Sequence, residues 1–456
     1  MAQQNTQSLK VGMTFMAIIF FVLGFITNFN MALKDQVQTT FDLSATMAQL
    51  VNGVFFFAYF CFSLVCGGFI RKIGYKNGVI SGLLLVAAGS FLFYPAVAGT
   101  PSYALFLTAI FIMATGVVFL QTAANPYVVV LGAPETAPAR LTTVQAMNSI
   151  ATTIAPFLVG LFILTPASLA MGPGAVQMPF VIIGSLVLLI AAGVYLSRLP
   201  GIEQSDTGGK KVWQYPQVLL GALGIFCYVG AEVGCSTQIV PYLETGGFSK
   251  GEAGRIVAIY WAGGMIGRFL GSFMLSSLSN SRKYLYSSAI LLFSFFAGWF
   301  IFSSQIVEGR FVFHSQLLHG MIFFGMAIVN FLAMIAGRGN PNVSLGVFGI
   351  AGALLAAAAF VLPIPLGMWT LLGVGFFNSI MFPTIFSLGV RDLDPTEMPL
   401  ASGMINTLIV GGAVVPLAMG WFTDHISVRS ALILPVICFA YIAFFGLKGS
   451  KIRRRV

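Results

Sequence analysis

Apolar and polar positions fall in long blocks along this chain. Fourteen apolar runs, each near the ~20 residues that cross a bilayer as a helix, follow one another at roughly 12–36, 46–70, 78–98, 102–130, 142–165, 179–197, 217–243, 252–277, 284–303, 317–336, 343–362, 366–390, 400–421 and 429–447. The connections between them are short, leaving no room for a water-soluble domain. The pattern predicts an all-α polytopic membrane protein whose chemistry takes place inside the membrane. The polar start, Met1 to Lys10, lacks a small-residue cleavage site and leads into a long apolar run. It does not read as a cleaved secretory signal.

The runs repeat. Gly116, Gln121, Pro126 and Gly132 recur with identical spacing as Gly373, Asn378, Pro383 and Gly389, a shift of 257 residues. Asn148 and Pro156 match Asn406 and Pro416 at shifts of 258 and 260, whereas Gly24 matches Gly230 at 206 and Tyr59 matches Tyr260 at 201. Duplicated spans mark carriers built from two pseudo-symmetric halves. The shift grows by about 50 residues after Tyr260, the length of residues 284–336. These read as an inserted transmembrane hairpin between the eighth and ninth helices of an ordinary twelve, with an outer loop carrying Glu308, Arg310 and His314. It is expected at the lipid periphery, away from the substrate cavity.

Charge sets the topology. Only 8% of residues are charged and 58% are hydrophobic, against ~25% charged in soluble domains. With the amino terminus inside, Lys10, Arg71, Lys72, Lys76, Arg140, Arg198, Lys210, Lys211, Arg282, Lys283, Arg338, Arg391, Lys448, Lys451 and Arg453 to Arg455 are cytoplasmic. That is seventeen basic residues, against five outside (Lys34, Lys250, Arg255, Arg310, Arg429) and the mid-membrane Arg268. The positive-inside rule puts both termini in the cytoplasm. The net charge of +10 is therefore topological, and no nucleic-acid partner is implied, because the basic residues are scattered over loops and tail. The five cysteines lie within spans as small packing residues, and the three histidines do not cluster, so neither a disulfide framework nor a metal site nor a cofactor is indicated.

Residues 199–216 form the most polar stretch between spans and follow the sixth. The domain reading is a six-helix bundle over 1–198, a cytoplasmic linker over 199–216, and a second bundle over 217–456 containing the hairpin 284–336. Gly67 to Lys76 resembles the cytoplasmic loop signature of the major facilitator superfamily, with Arg71 where that signature has an acid. Leu120 to Tyr127 with its alanine-asparagine-proline block, Arg140-Leu141 leading to Gln145 and Asn148, Tyr228 to Glu232, Met265 to Phe269, and Asn378 to Thr384 resemble the fucose/galactose/glucose:proton symporters. The resemblance implies two six-helix bundles around a central sugar cavity that opens alternately to either side and takes up hexoses down a cation gradient.

The residues themselves suit that chemistry. Gln121 and Asn125 are four apart and Gln145 and Asn148 three apart, so each pair shares a helix face. Such amides can bind several sugar hydroxyls without charge, although amides also glue membrane helices together. The resemblance selects Gln121, Gln145 and Asn148. Asn28 and Asn30 lie about 200° apart on a helix and cannot both face a cavity; the family pattern favours Asn28. Asn125 and Asn378 are further candidates, and Trp261 either stacks on a sugar ring or packs in the core. Fucose symporters carry acids where this chain has Met31 and Gln121, which leaves Glu232 as the deep carboxylate. An intramembrane acid is costly and functional by default. It is a candidate proton carrier, or else a structural partner for Arg268.

The expectation is a secondary carrier taking up a monosaccharide (glucose, galactose or fucose-like) by symport with protons or sodium. It would be monomeric in the lipid bilayer of a bacterial inner membrane. The alternatives are an exporter of drugs or other metabolites on the same fold and a non-transporting sugar sensor. A membrane enzyme would need a cluster of acids, bases or metal ligands that this chain does not suggest. Pro126, Pro156, Pro383 and Pro416 are expected to open local kinks in their helices.

Overall fold

The computed structural model describes residues 2–32, 37, 41–43, 45–162, 177–197, 212–307 and 310–452. The linker 199–216 is thus seen only from Val212 onward, and Lys34, Asp35 and Glu308 lie outside the described residues, as do the side chains of Met31, Arg310 and Pro156.

The apolar runs fold as helices: α1 (Ala2–Ala32), α2 (Ala45–Ile73), α3 (Tyr75–Val97), α4 (Tyr103–Val130), α5 (Ala137–Phe162), α6 (Gln177–Leu196), α7 (Pro216–Glu244), α8 (Lys250–Met274), α9 (Asn280–Ser303), α10 (Leu317–Ala336), α11 (Pro341–Val361), α12 (Ile364–Asn378), α13 (Met381–Gly389), α14 (Met398–Thr407), α15 (Gly411–His425) and α16 (Ile433–Leu447). Thirteen spans among the described residues are long and apolar enough to cross a membrane, with α12–α13 and α14–α15 each making one span. The fourteenth run is α5. The chain is an integral, multi-pass membrane protein.

Local chemistry sets the helix ends. Ser249 and Glu252 close a reciprocal capping box on α8, and Asn340 caps α11 with Pro341 in its first turn; each satisfies amides that a helix start leaves free. The turn from α2 to α3 is a single residue, Gly74, at φ 84°, a left-handed conformation that favours glycine. Lys76, in the same basic loop, donates to the carbonyls of Tyr195 and Ser197 at 2.8 and 2.7 Å and so caps the end of α6.

The helices group into two compact units: Met1–Pro134, Met147–Ala222 and Val390–Val410 in the first, and Glu135–Ala146, Leu223–Gly389 and Gly411–Val456 in the second. Within the first, α3 packs on α4 and α6, and α2 on α4; within the second, α11 packs on α12 and α16, and α8 on α12. The two patterns coincide when α9 and α10 are set aside. Two spans, α5 and α14–α15, are each divided between the units.

The extra pair, α9 and α10, packs chiefly on itself and on α8. Only 17% of the apolar window of α9 is buried, against 100% for the α12–α13 span. Its outward side chains, including Leu285, Leu292, Phe293 and Phe296, are large, apolar and exposed, as suits contact with lipid. The connection expected to be a plain loop is a two-stranded antiparallel ribbon, β1 (Ser304–Val307) and β2 (Arg310–Phe313), with Ser304 opposite Phe313 and Val307 opposite Arg310. The β-branched and aromatic residues Ile306, Val307, Phe311, Val312 and Phe313 favour strand pairing.

The proline-bearing repeats differ in outcome. Pro126 is carried inside an unbroken α4, whereas the span holding Pro383 breaks between Asn378 and Met381. One turn before that break the Phe376 carbonyl accepts from the Ser379 amide at 3.4 Å and from Asn330 Nδ2 of α10 at 2.9 Å. The inserted hairpin thereby supplies a donor for which the first half has no counterpart.

Candidate functional site

In the first unit the candidate groups lie on α1, α4 and α5. The Tyr59 hydroxyl of α2 donates to Gln121 Oε1 at 2.6 Å, and Gln121 remains half-buried. Asn148 Nδ2 donates to the Phe20 carbonyl of α1 at 3.1 Å. A Cβ at Gly24 would collide with the backbone and side chain of Asn148, so glycine is what allows α1 and α5 to approach there. Asn28, one turn on, donates to the Gly24 carbonyl at 3.1 Å and stays half-buried. Asn30 points elsewhere: it is buried and reaches the Ile26 carbonyl and Met113.

The face shared by Gln121 and Asn125 is closed at one end. Asn125 is fully buried, and neither its Nδ2 nor its Oδ1 has a hydrogen-bond partner. The cover is α14, which packs on α2 and α4 and places Asn406 Nδ2 3.3 Å from Thr122 Oγ1. Asn125 is therefore not presented to a ligand in this conformation, contrary to its helical spacing from Gln121. Segment 390–410 is held in the first unit by further bonds. Tyr75 donates to the Pro395 carbonyl at 2.6 Å, and Tyr215 donates to the Glu397 carboxylate at 3.0 Å. A Cβ on Gly67, from the basic-loop signature, would strike the Pro399 carbonyl.

In the second unit a polar cluster joins α7, α8 and α12. Arg268 Nη2 lies 3.1 Å from Glu232 Oε1, the one salt bridge among the described residues. Tyr228 donates to the same carboxylate oxygen at 2.6 Å, and Arg268 donates to the Tyr228 hydroxyl at 3.3 Å. The Tyr260 hydroxyl donates to the Glu232 backbone carbonyl at 2.9 Å and accepts from Asn378 Nδ2. Asn378 is buried and its Oδ1 is enclosed and unpartnered, so in this conformation it is, like Asn125, not open to a ligand. Trp261 meets Tyr260 edge-on at 5.5 Å and is 36% exposed, neither core nor stacked on another ring plane. Gln145 is buried and groups with the second unit through the first turns of α5, where Thr143 and Ser272 hydroxyls meet at 2.7 Å.

The tyrosines are what sequence reasoning undervalued. Tyr59 and Tyr260 were visible as a repeat, as were Gln121 and Asn378. The structure bonds each tyrosine to the amide of its own half. Their matched positions were the signal that could have paired them. Among the described residues no three His, Cys, Asp or Glu side chains gather as a metal site.

Two units of matched helix packing, each joining a side-chain amide to a tyrosine on a neighbouring helix, define a polytopic membrane carrier. The family model of the Major Facilitator Superfamily matches residues 15–342, and the chain belongs to that superfamily. It is 36% identical to a glucose/galactose transporter of Brucella abortus over 450 residues, covering 96% of this chain and 94% of the relative. It is 28% identical to the L-fucose-proton symporter of Escherichia coli, covering 97% and 94%. The crystal structure of the Escherichia coli fucose:proton symporter superposes with a TM-score of 0.75 at 25% identity, covering 96% of this chain and 98% of that one.

Proposed function

We propose that this transporter takes up a hexose of the glucose or galactose kind by alternating access, in symport with protons. It would sit in a bacterial inner membrane with both termini cytoplasmic, as the Lys/Arg bias requires. The observation that carries the reading is the matched pair of tyrosine–amide bonds, Tyr59 to Gln121 and Asn378 to Tyr260, one in each unit. Neutral donors and acceptors in duplicate suit a polyhydroxyl substrate, whose hydroxyls both donate and accept. The relatives' names point the same way. In this reading Gln121, Gln145, Asn148, Asn28 and Asn378 bind sugar, with Trp261 available to a ring face.

Coupling follows from the Glu232 cluster. As a carboxylate, Glu232 accepts from both Arg268 and Tyr228. Once it takes up a proton, Arg268 is left as a cation in a nearly water-free site and needs other acceptors. Sugar oxygens supply them, so proton and sugar bind better together than apart, which is the thermodynamic requirement for symport.

The test is uptake of radiolabelled glucose, galactose and fucose into proteoliposomes under a pH gradient, a sodium gradient or neither. Accumulation driven by the pH gradient, with sugar affinity rising as pH falls, is expected. Accumulation only under sodium would overturn the proton assignment, and efflux of unrelated compounds without hexose uptake would favour the exporter reading.

A further inference from the structure

The repeat gives each unit one comparable helix crossing. Tyr59 of α2 matches Tyr260 of α8, and Asn148 of α5 matches Asn406 of α14. In the first unit α14 crosses α2, and in the second the first turns of α5 meet α8. The two crossings are bonded differently. Where α5 meets α8, the Thr143 and Ser272 hydroxyls lie 2.7 Å apart, and Thr142 donates to the Pro138 carbonyl at 2.7 Å. No buried side-chain polar atom of Glu135–Ala146 or of α8 lacks a partner among the described residues.

The α14 crossing is tight and poorer in bonds. A Cβ on Gly67 would strike the Pro399 carbonyl, and one on Gly403 would strike the Ser63 carbonyl, so two glycines bring the backbones into contact. On the helices that meet there, Ser63 Oγ of α2, both amide atoms of Asn125 of α4, and Ser402 Oγ and Asn406 Oδ1 of α14 have no partner. All four residues are fully buried. Each such atom has lost water without gaining a bond, which disfavours the closed crossing. Two bonds at the start of α14 oppose that tendency. Tyr75 donates to the Pro395 carbonyl and Tyr215 to the Glu397 carboxylate, at the end that the Lys/Arg bias makes cytoplasmic.

We propose that the crossing of α14 on α2 is the weaker of the two and opens the more readily toward the cytoplasm, with Tyr75 and Tyr215 as its latch. Water that enters as α14 lifts bonds the five unpaired atoms and so favours opening. The crossing of α5 on α8 gains nothing comparable, because its polar groups already have partners. The proposal rests on the alternating-access reading, but on neither the identity of the sugar nor that of the coupling ion.

Hydrogen–deuterium exchange of the purified full chain in detergent, read by mass spectrometry without added sugar, tests this. After correction for intrinsic rates, segment 398–407 should exchange faster than segment 137–146. The double variant S63A/S402A removes two unpaired hydroxyls with little change in volume. It should slow exchange across 398–407 at least about fivefold and leave 137–146 unchanged. Y75F removes one latch bond and should speed exchange across 398–407 alone. Exchange in 398–407 no faster than in 137–146 overturns the proposal. So does S63A/S402A protein that exchanges across 398–407 as fast as the parent or faster, or Y75F protein whose exchange there is unchanged. Should the expected exchange pattern appear in a protein that takes up none of the hexoses, the substrate reading fails and the weaker crossing is upheld.

Discussion

Removing the charge of Glu232 probes stability and coupling at once. In Glu232→Gln the neutral amide keeps an oxygen for Tyr228 but leaves Arg268 without a counter-charge. At the observed 3.1 Å and an effective dielectric of ~20, the lost attraction is about 5 kcal/mol before solvation is counted. Breaking one side of a buried pair typically destabilises by ~3–5 kcal/mol. The two side chains are 11% and 13% exposed, so some water reaches them and the lower end applies. About 3 kcal/mol is roughly a hundredfold in the folding equilibrium. Adding Arg268→Met removes the stranded cation, so the double variant should recover to within ~1 kcal/mol of the parent. Thermal unfolding in detergent measures all three. Transport separates the roles: Glu232→Gln should keep sugar counterflow, which needs no net proton movement, and lose accumulation under a pH gradient. The double variant should also lose sugar affinity, because Arg268 is the group the sugar is argued to satisfy. A Glu232→Gln protein that unfolds like the parent, or a double variant no more stable than the single one, refutes the energetic argument. Accumulation at the parent level in Glu232→Gln refutes the coupling argument.

Gln121→Ala, Gln145→Ala and Asn148→Ala should each weaken sugar binding by ~1–3 kcal/mol, about five- to a hundredfold, measured by equilibrium binding; unchanged affinity in all three removes the site assignment. Tyr59→Phe should reproduce a smaller part of the Gln121→Ala loss, whereas Asn125→Ala should leave affinity unchanged, since that amide is sealed beneath α14; a large Asn125 effect would show that it reaches the ligand. Gly24→Val should abolish transport by driving α1 off Asn148, with the loss read in uptake normalised to folded protein. Asn330→Leu, remote from the candidate sugar groups, should still weaken binding by freeing the Phe376 carbonyl beside the break that positions Asn378; affinity equal to the parent would separate the hairpin from the site.

The spans themselves were readable from the chain, because whether ~20 residues cross a bilayer depends on their own composition and length. The extra pair was readable too, since inserting 53 residues shifts every later repeat by that length wherever the inserted part packs. Partnership is different in kind. Tyr59 lies 62 residues from Gln121, and Thr122 lies 284 from Asn406; nothing local in either stretch specifies such contacts. Helical spacing put Asn125 on the face of Gln121, yet what covers that face is a segment from near the other end of the chain. Pro126 and Pro383 look alike in sequence, but only one of their spans is broken, in the half where Asn330 of the inserted helix caps a nearby carbonyl. The Glu232–Arg268 pair was open to two readings from sequence, because a residue's depth and helix do not set its rotamer. The chain determined which groups are available and at what level; tertiary packing alone decided which of them meet, since a hydrogen bond needs its partners within about 3 Å.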